Sequence, residues 1–147
     1  MSIVFPNTTT LKEFLRRVTN QVLEEDVAPE VQIMLAENAQ KDVYDAYPHP
    51  FEYVRSYSLT DGAPETYNIE SSDLEVTISV DHPHGKLIEY GHGTDGMYYE
   101  YPFNRNDTAD QFLRPRPFFR HTVEQFDKDK FKEVFRKGLE NRGAVVK

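Results

Sequence analysis

Between residues 74 and 80 the chain alternates without a slip. Leu74, Val76, Ile78 and Val80 are apolar, and Glu75, Thr77 and Ser79 between them are polar. A period of two puts the apolar side chains on one face of an extended strand and the polar ones on the other. A strand that is wet on one side belongs to an antiparallel sheet, because parallel strands are covered on both faces and read as unbroken apolar runs. The rest of the chain must therefore supply elements that cover one apolar face.

The flanking segments have the right pattern. Leu11, Phe14, Leu15, Val18 and Val22 recur every three or four residues, which predicts an amphipathic helix of about 14 residues. Thr8, Thr9 and Thr10 are candidate caps, since a hydroxyl accepts a bond from an orphan N–H of the first turn. Glu24, Glu25 and Asp26 end that pattern, and Ala28-Pro29 reads as a restart with proline in the first turn of a second helix. Ile33, Ala36, Ala39, Val43 and Tyr47 extend it up to Pro48, which cannot continue a helix. Near the other end Pro117 opens a final helix through Phe119, Val123, Phe126, Phe131, Val134 and Phe135, with Gly138 or Gly143 as its stop.

The middle of the chain is predicted to be extended. A short strand is expected over 53–59, with a turn at Asp61-Gly62. After the alternating strand come a turn at His82-Pro83-His84-Gly85, a second strand L-I-E-Y-G over 87–91, and a hairpin at Thr94-Asp95-Gly96. A returning strand from Met97 to Tyr101 ends at Pro102, and residues 104–113 form a polar loop. Helices and strands are segregated rather than alternating, which predicts an α+β fold. N-terminal helices and a C-terminal helix would pack on a small antiparallel sheet of three to four strands. At 147 residues the chain reads as one domain, with an arm at 1–10, a hairpin or loop insertion at 92–113 and a tail at 139–147.

Composition removes several functions. There is no cysteine, which excludes a disulfide scaffold, a thiolate zinc site and a cysteine nucleophile. No apolar run approaches the ~18 residues of a membrane span, and no signal-like segment opens the chain, so a soluble cytoplasmic protein is expected. A net charge of −8 disfavours a general nucleic-acid binder. That charge is unevenly spread: residues 111–147 hold ten Lys/Arg against five Asp/Glu, and residues 1–110 hold seven against twenty. An acidic body with a basic end suits head-to-tail self-association or a basic end facing an acidic partner; a solvated basic helix has the same composition. Nine Tyr and ten Phe in a chain only 38% apolar point to surface meant to be covered.

Three stretches carry chemistry. Asp81, His82, His84, His92 and Asp95 are residue types that bind zinc, manganese or iron. They define the alternative of a small, nuclease-like metal-dependent enzyme using Asp81, His82, His84 and His92. The diagnostic H-E-x-x-H spacing is missing, and His-Pro-His-Gly is also ordinary turn composition. Gly91-His92-Gly93-Thr94-Asp95-Gly96 lacks the lysine and following helix of a phosphate loop, and there is no G-x-S-x-G elbow. No catalytic residue, cofactor or resident metal is assigned, and the chain is not expected to be an enzyme. A monomeric adaptor or toxin-like module is a further class.

The third stretch, R-P-R-P-F-F-R at 114–120, is the most distinctive. Arg114, Arg116 and Arg120 surround Phe118 and Phe119, and arginine both pairs with carboxylates and stacks on aromatics. Cations at a helix start oppose the helix dipole, so these arginines should have partners in this subunit or the next. Phe119 is expected in the core, and Phe118 either there or in a contact.

Taken with L-I-E-Y-G, this stretch resembles the head–tail joining proteins of long-tailed bacteriophages, the neck and tail-completion family. Its members typically show I/V-E-Y/F-G followed downstream by x-P-R-P-F-hydrophobic-R/K. Val43-Tyr44-Asp45-Ala46-Tyr47-Pro48, with Tyr53, Arg55 and Leu59-Thr60-Asp61-Gly62, is similar to members from phages of Gram-positive hosts. The resemblance spans residues 30–136. It departs at His121, where the family has a small residue, and in the long aromatic segment 92–113. It implies a virion structural protein without catalysis or cofactor, self-associating into a ring of six-fold or twelve-fold symmetry. Connector or portal-side and tail-side proteins would be its partners, DNA would pass through the lumen without sequence-specific binding, and no membrane is involved. It would reside in the virion neck, and in the host cytoplasm during assembly. Tyr90, Arg114, Arg116, Phe118 and Arg120 are the expected joint-forming residues, and Tyr98, Tyr99, Tyr101 and Phe103 the expected docking loop.

Overall fold

Asn7 starts the first helix. Its side-chain oxygen accepts the Thr10 N–H at 2.9 Å, and α1 runs Thr8–Val22. The threonines expected as caps lie one step inside, and the Thr10 hydroxyl bonds back to the Asn7 carbonyl. The computed structural model describes residues 5–46, 59–60, 67–93, 98, 111–113 and 115–144, with the backbone alone at 92–93 and 111–113.

The acidic stretch after α1 does not interrupt the helix. Leu23–Val27 makes one π-helical turn, and the chain enters α2, Ala28–Ala39, with right-handed helical dihedrals throughout. Pro29 explains the wide turn. A proline ring clashes with the carbonyl four residues back and has no N–H to give, and a π-turn loosens the ladder where both would be felt. A second π-turn, Gln40–Asp45, carries the helix on towards Pro48.

The alternating segment forms a hairpin. β1, Tyr67–Ser72, pairs antiparallel with β2, Glu75–Val80, in the register Tyr67↔Val80 through Ser72↔Glu75. Burial along β2 alternates as the sequence predicts, with Val76, Ile78 and Val80 inward. β1 is absent from the sequence-based expectation, which puts its strand at 53–59, outside the described residues apart from Leu59. The L-I-E-Y segment is a helix rather than a strand: α3 spans Gly85–Tyr90. Two short strands, β3 at His92–Gly93 and β4 at Gln111–Leu113, pair antiparallel with an irregular register. The returning strand expected over 97–101 lies outside the described residues, except Tyr98. The four described strands thus form two antiparallel pairs in an α+β fold.

The final helix is two helices. α4, Phe118–Gln125, stops at Phe126, and α5, Lys128–Asn141, starts afresh. Asp127 is the reason. Its carboxylate accepts the Asp129 and Lys130 N–H groups at 3.0 and 2.9 Å, capping α5. Gly143, at φ +82°, follows the end of α5, while Gly138 is a point of close approach. A Cβ there would meet Val22 Cγ1 at 2.6 Å.

Two apolar clusters hold these elements. Leu35, Ala39 and Val43 meet Leu59, Tyr67 and Phe118, with Ile78, Val80, Ile88 and Phe119 at the margin. Val18, Val22, Leu23 and Val27 meet Val76, Phe126 and the α5 row Phe131, Val134, Phe135 and Leu139. The long helix thus serves both clusters. Arg142 ties α5 to the first π-turn by pairing with Glu25 and Asp26. Leu11 and Leu15 belong to the predicted apolar stripe of α1 but are exposed.

Candidate functional site

α3 and the start of α4 are bound to each other by a clasp. Glu89, 8% exposed, points its carboxylate at the first turn of α4. Its Oε2 accepts the Phe119 N–H and its Oε1 the Arg120 N–H, both at 3.0 Å. The α4 cap position is Pro117, which offers no side-chain cap, so Glu89 supplies one from 30 residues away. A carboxylate there also faces the positive end of the α4 dipole. The Arg116 N–H donates to the Ile88 carbonyl at 2.9 Å beside it. Burial pushes the Glu89 carboxyl above its ordinary range, against the pull of the two amide bonds and of His121 and Arg120.

The other face of α4 is stitched to the long helix by polar groups. The buried Asn38 amide donates to Thr122 Oγ1 at 2.9 Å and Gln125 Oε1 at 3.0 Å. His121 Nδ1 lies 2.6 Å from Asp42 Oδ2 in the second π-turn. His121, where the joining proteins have a small residue, thus links α4 to the long helix.

The expected joint-forming residues separate on this scaffold. Tyr90, 41% exposed, and Arg120, paired with Glu124 at 3.3 Å, stand at the outer corner of the clasp. Arg116 is partly buried. Phe118 is 1% exposed and is a core residue, which corrects its assignment to a joint surface. Phe119, expected in the core, is its half-buried neighbour. The clasp fixes the turn of α4 that sends Phe118 inward. Arg114 lies outside the described residues. Of the docking-loop residues only Tyr98 is described: it is exposed, with Lys86 Nζ 4.8 Å from its ring centre. Tyr99, Tyr101 and Phe103 lie outside.

The histidine segment forms a turn. The His84 N–H donates to His82 Nδ1 at 3.2 Å, engaging one of the ring nitrogens a metal would need. Burial and the neighbouring His84 hold His82 below its ordinary pKa. Asp81 is exposed, and the His92 side chain is outside the described set. Among the described residues no three His, Asp or Glu side chains are grouped to hold a metal ion, and no helix is long and apolar enough to cross a membrane.

Sequence reasoning names Tyr90 and passes over Glu89, the residue that organises the corner. The available signal is a lone carboxylate inside an apolar run. The site therefore defines an α+β protein whose most distinctive motif residues bind the end of one helix to the start of the next. The profile of the YomN family matches residues 7–141, nearly the whole chain, so the protein belongs to the YomN family. That name comes from a Bacillus phage and prophage gene region and makes this a phage-associated protein. No match was found among curated proteins or among solved structures.

Proposed function

We propose that this chain is a structural protein of a phage or prophage virion, forming a ring at the head–tail joint. It self-associates there and docks between connector-side and tail-side proteins. One observation carries the reading: the two pieces of the joining-protein resemblance, I-E-Y-G and R-P-R-P-F-F-R, meet in space as a structural clasp. The Glu89 carboxylate is engaged by two backbone amides, and Tyr90 and Arg120 are left outward. Groups used this way support assembly rather than catalysis. YomN membership supports the phage setting.

In this reading Tyr90, Arg114, Arg116 and Arg120 form the joint surface. Tyr98, Tyr99, Tyr101 and Phe103 dock to a neighbouring protein from the segment between β3 and β4. The acidic body repels phosphates, so DNA slides through the lumen without being bound. The protein works without cofactor or membrane, in the virion neck and, before assembly, in the host cytoplasm.

The test is genetic and reconstitutive. A phage lacking this gene is expected to yield filled heads and free tails, which the purified protein joins into infectious particles. Arg120→Glu protein should fold and fail to join them. Intact virions without the protein would refute the proposal.

A further inference from the structure

α5 is joined to α4 by a break of two residues. Phe126, at φ −84° and ψ 60°, ends α4, and Asp127, extended at ψ −179°, caps α5. The break also divides the core. Phe118 and Phe119 of α4 belong to the first cluster. Phe131, Val134, Phe135 and Leu139 of α5 belong to the second, on Val18 and Val22 of α1 and Leu23 and Val27 of the first π-turn. Polar ties set how α5 lies there. Arg142 pairs with Glu25 and Asp26, and Lys130 Nζ stands 3.1 Å from Glu30 Oε1 at the start of α2.

The backbone at the break has a second solution. The Asp127 carboxylate accepts the Asp129 and Lys130 N–H groups, and in an unbroken helix both would bond to carbonyls four residues back. A straight helix therefore satisfies these groups as well as the cap does. It sends α5 elsewhere, however. At about 100° per residue, Thr122 and Gly138, buried residues of the two helices, would face about 160° apart. Straightened, the helix turns the α5 row away from its own core and uncovers Val18, Val22, Leu23 and Val27, in every copy alike. The two uncovered surfaces are complementary, because each covers the other in the closed chain. A hinge this short invites exchange of the element beyond it.

We propose that α5 is exchanged between copies: with the helix straightened through Asp127, it leaves its own α1 and seats on α1 and the first π-turn of the next copy. This rests on the self-association reading above and supplies it with a contact both sides of which the closed chain displays. Exchange calls for no new match of shape or charge, since the Arg142 and Lys130 ties re-form across the contact. Giver and receiver surfaces are different, so the contact is heterologous. Passed from copy to copy in one direction, it closes into a ring when its rotation permits.

Sedimentation velocity up to about 1 mM, the weak end of measurable association, compares wild type, Lys128→Pro and Asp127→Ala. Lys128 is exposed in the first turn of α5, where proline is tolerated, and Asp127 already has the extended backbone that precedes a proline. In a straight helix the same ring would clash with the preceding turn. Lys128→Pro should therefore melt no lower than wild type while losing about tenfold or more in association. Asp127→Ala removes the cap of the closed form and should associate about fivefold more tightly. The wild type also gives a direct reading. Unlabelled and heavy-isotope-labelled chains are unfolded together in urea, refolded and treated with a zero-length carbodiimide, which joins Lys130 to Glu30 as an amide. In the oligomer peak about half of these links should join a light chain to a heavy one, as exchange between copies requires. That reading needs no substitution, so it decides the matter even if a variant melts early. Oligomers whose Glu30–Lys130 links all stay within one chain would overturn the exchange and leave the ring reading standing. A Lys128→Pro protein that melts like wild type and still associates like it would overturn the straightened hinge. Wild type and Asp127→Ala that are both monomeric throughout would overturn the exchange together with the self-association it rests on.

Discussion

Removing Glu89 is the sharpest test of the clasp. Glu89→Ala takes the acceptor from two amide N–H groups at the start of α4 and from a site almost closed to water. Each N–H left without a partner costs about 1–2 kcal/mol, consistent with about 0.5–2 kcal/mol for losing an ordinary cap. The variant should therefore lose about 2–4 kcal/mol. For a domain of this size that lowers Tm by roughly 6–12 °C. Glu89→Gln separates charge from hydrogen bonding, since its amide oxygen still accepts one N–H and carries no charge to desolvate. Its loss should stay within about 1 kcal/mol. The pH dependence has a definite sign. Burial raises the folded-state pKa of Glu89, so between the unfolded value and the raised one the folded chain holds more proton than the unfolded chain. Stability contributed at Glu89 is then complete below the unfolded pKa and declines as pH rises through the folded one. Melting curves of wild type and Glu89→Gln between about pH 4 and 8 isolate this group, and the difference should move in favour of glutamine as pH rises. A wild type that gains on Glu89→Gln with rising pH, or a Glu89→Gln as damaged as Glu89→Ala, would refute this account of the clasp.

Phe118→Ala should cost about 3–5 kcal/mol, the cost of emptying a buried phenylalanine site. Phe119→Ala should cost less, and a Tm ranking of the pair in the opposite order would contradict the burial assigned to them. Gly138→Ala gains about 1 kcal/mol in helix propensity, but its methyl would stand 2.6 Å from Val22 Cγ1 and 3.0 Å from Asp26. Overpacking of that kind costs about 1–3 kcal/mol, so its urea midpoint should fall, and a raised midpoint would mean that α5 can shift freely on the first π-turn.

What the sequence makes legible is whatever a local period decides. The alternation of Leu74 to Val80 yields β2 with its correct inward face, and the three-four spacing yields α1 and α2. The α+β class follows from their order. Distant partners decide the rest. L-I-E-Y is too short for its period to separate strand from helix; the choice falls to the His82–Gly85 turn and to the Glu89 contact 30 residues on. The acidic run Glu24 to Asp26 looks like a helix end until Arg142, 116 residues from Asp26, is seen to pair with it. Asp127 is a different kind of miss. An aspartate between two apolar stretches is a cap signal in plain view, but the aromatic spacing runs across it unbroken. The same spacing hides Leu11 and Leu15: it marks an apolar stripe without saying how far along α1 the core extends.

Three ties bind residues 85–93, α3 and β3, to the chain just after residue 110: the β3–β4 ladder, the Arg116 N–H to the Ile88 carbonyl, and the two amide bonds to Glu89. The ends of the aromatic segment are therefore fixed to the first turn of α4. That helix is in turn held to the long helix by Asn38, by the His121–Asp42 pair and by the Phe118 core. A pull on the segment is shared by these contacts before it strains the hairpin, whose tip is braced separately on α1. The ends of the aromatic segment are thus braced through α4, and the hairpin tip through α1. The long helix, continuous through both π-turns, joins the two, as does the core in which Ile78 and Val80 of the hairpin pack beside Phe118 and Phe119. A wide turn has looser hydrogen bonding than an α-turn, so the two π-turns are where such a joint would flex under load, and Arg142 clamped on the first of them limits that flexing.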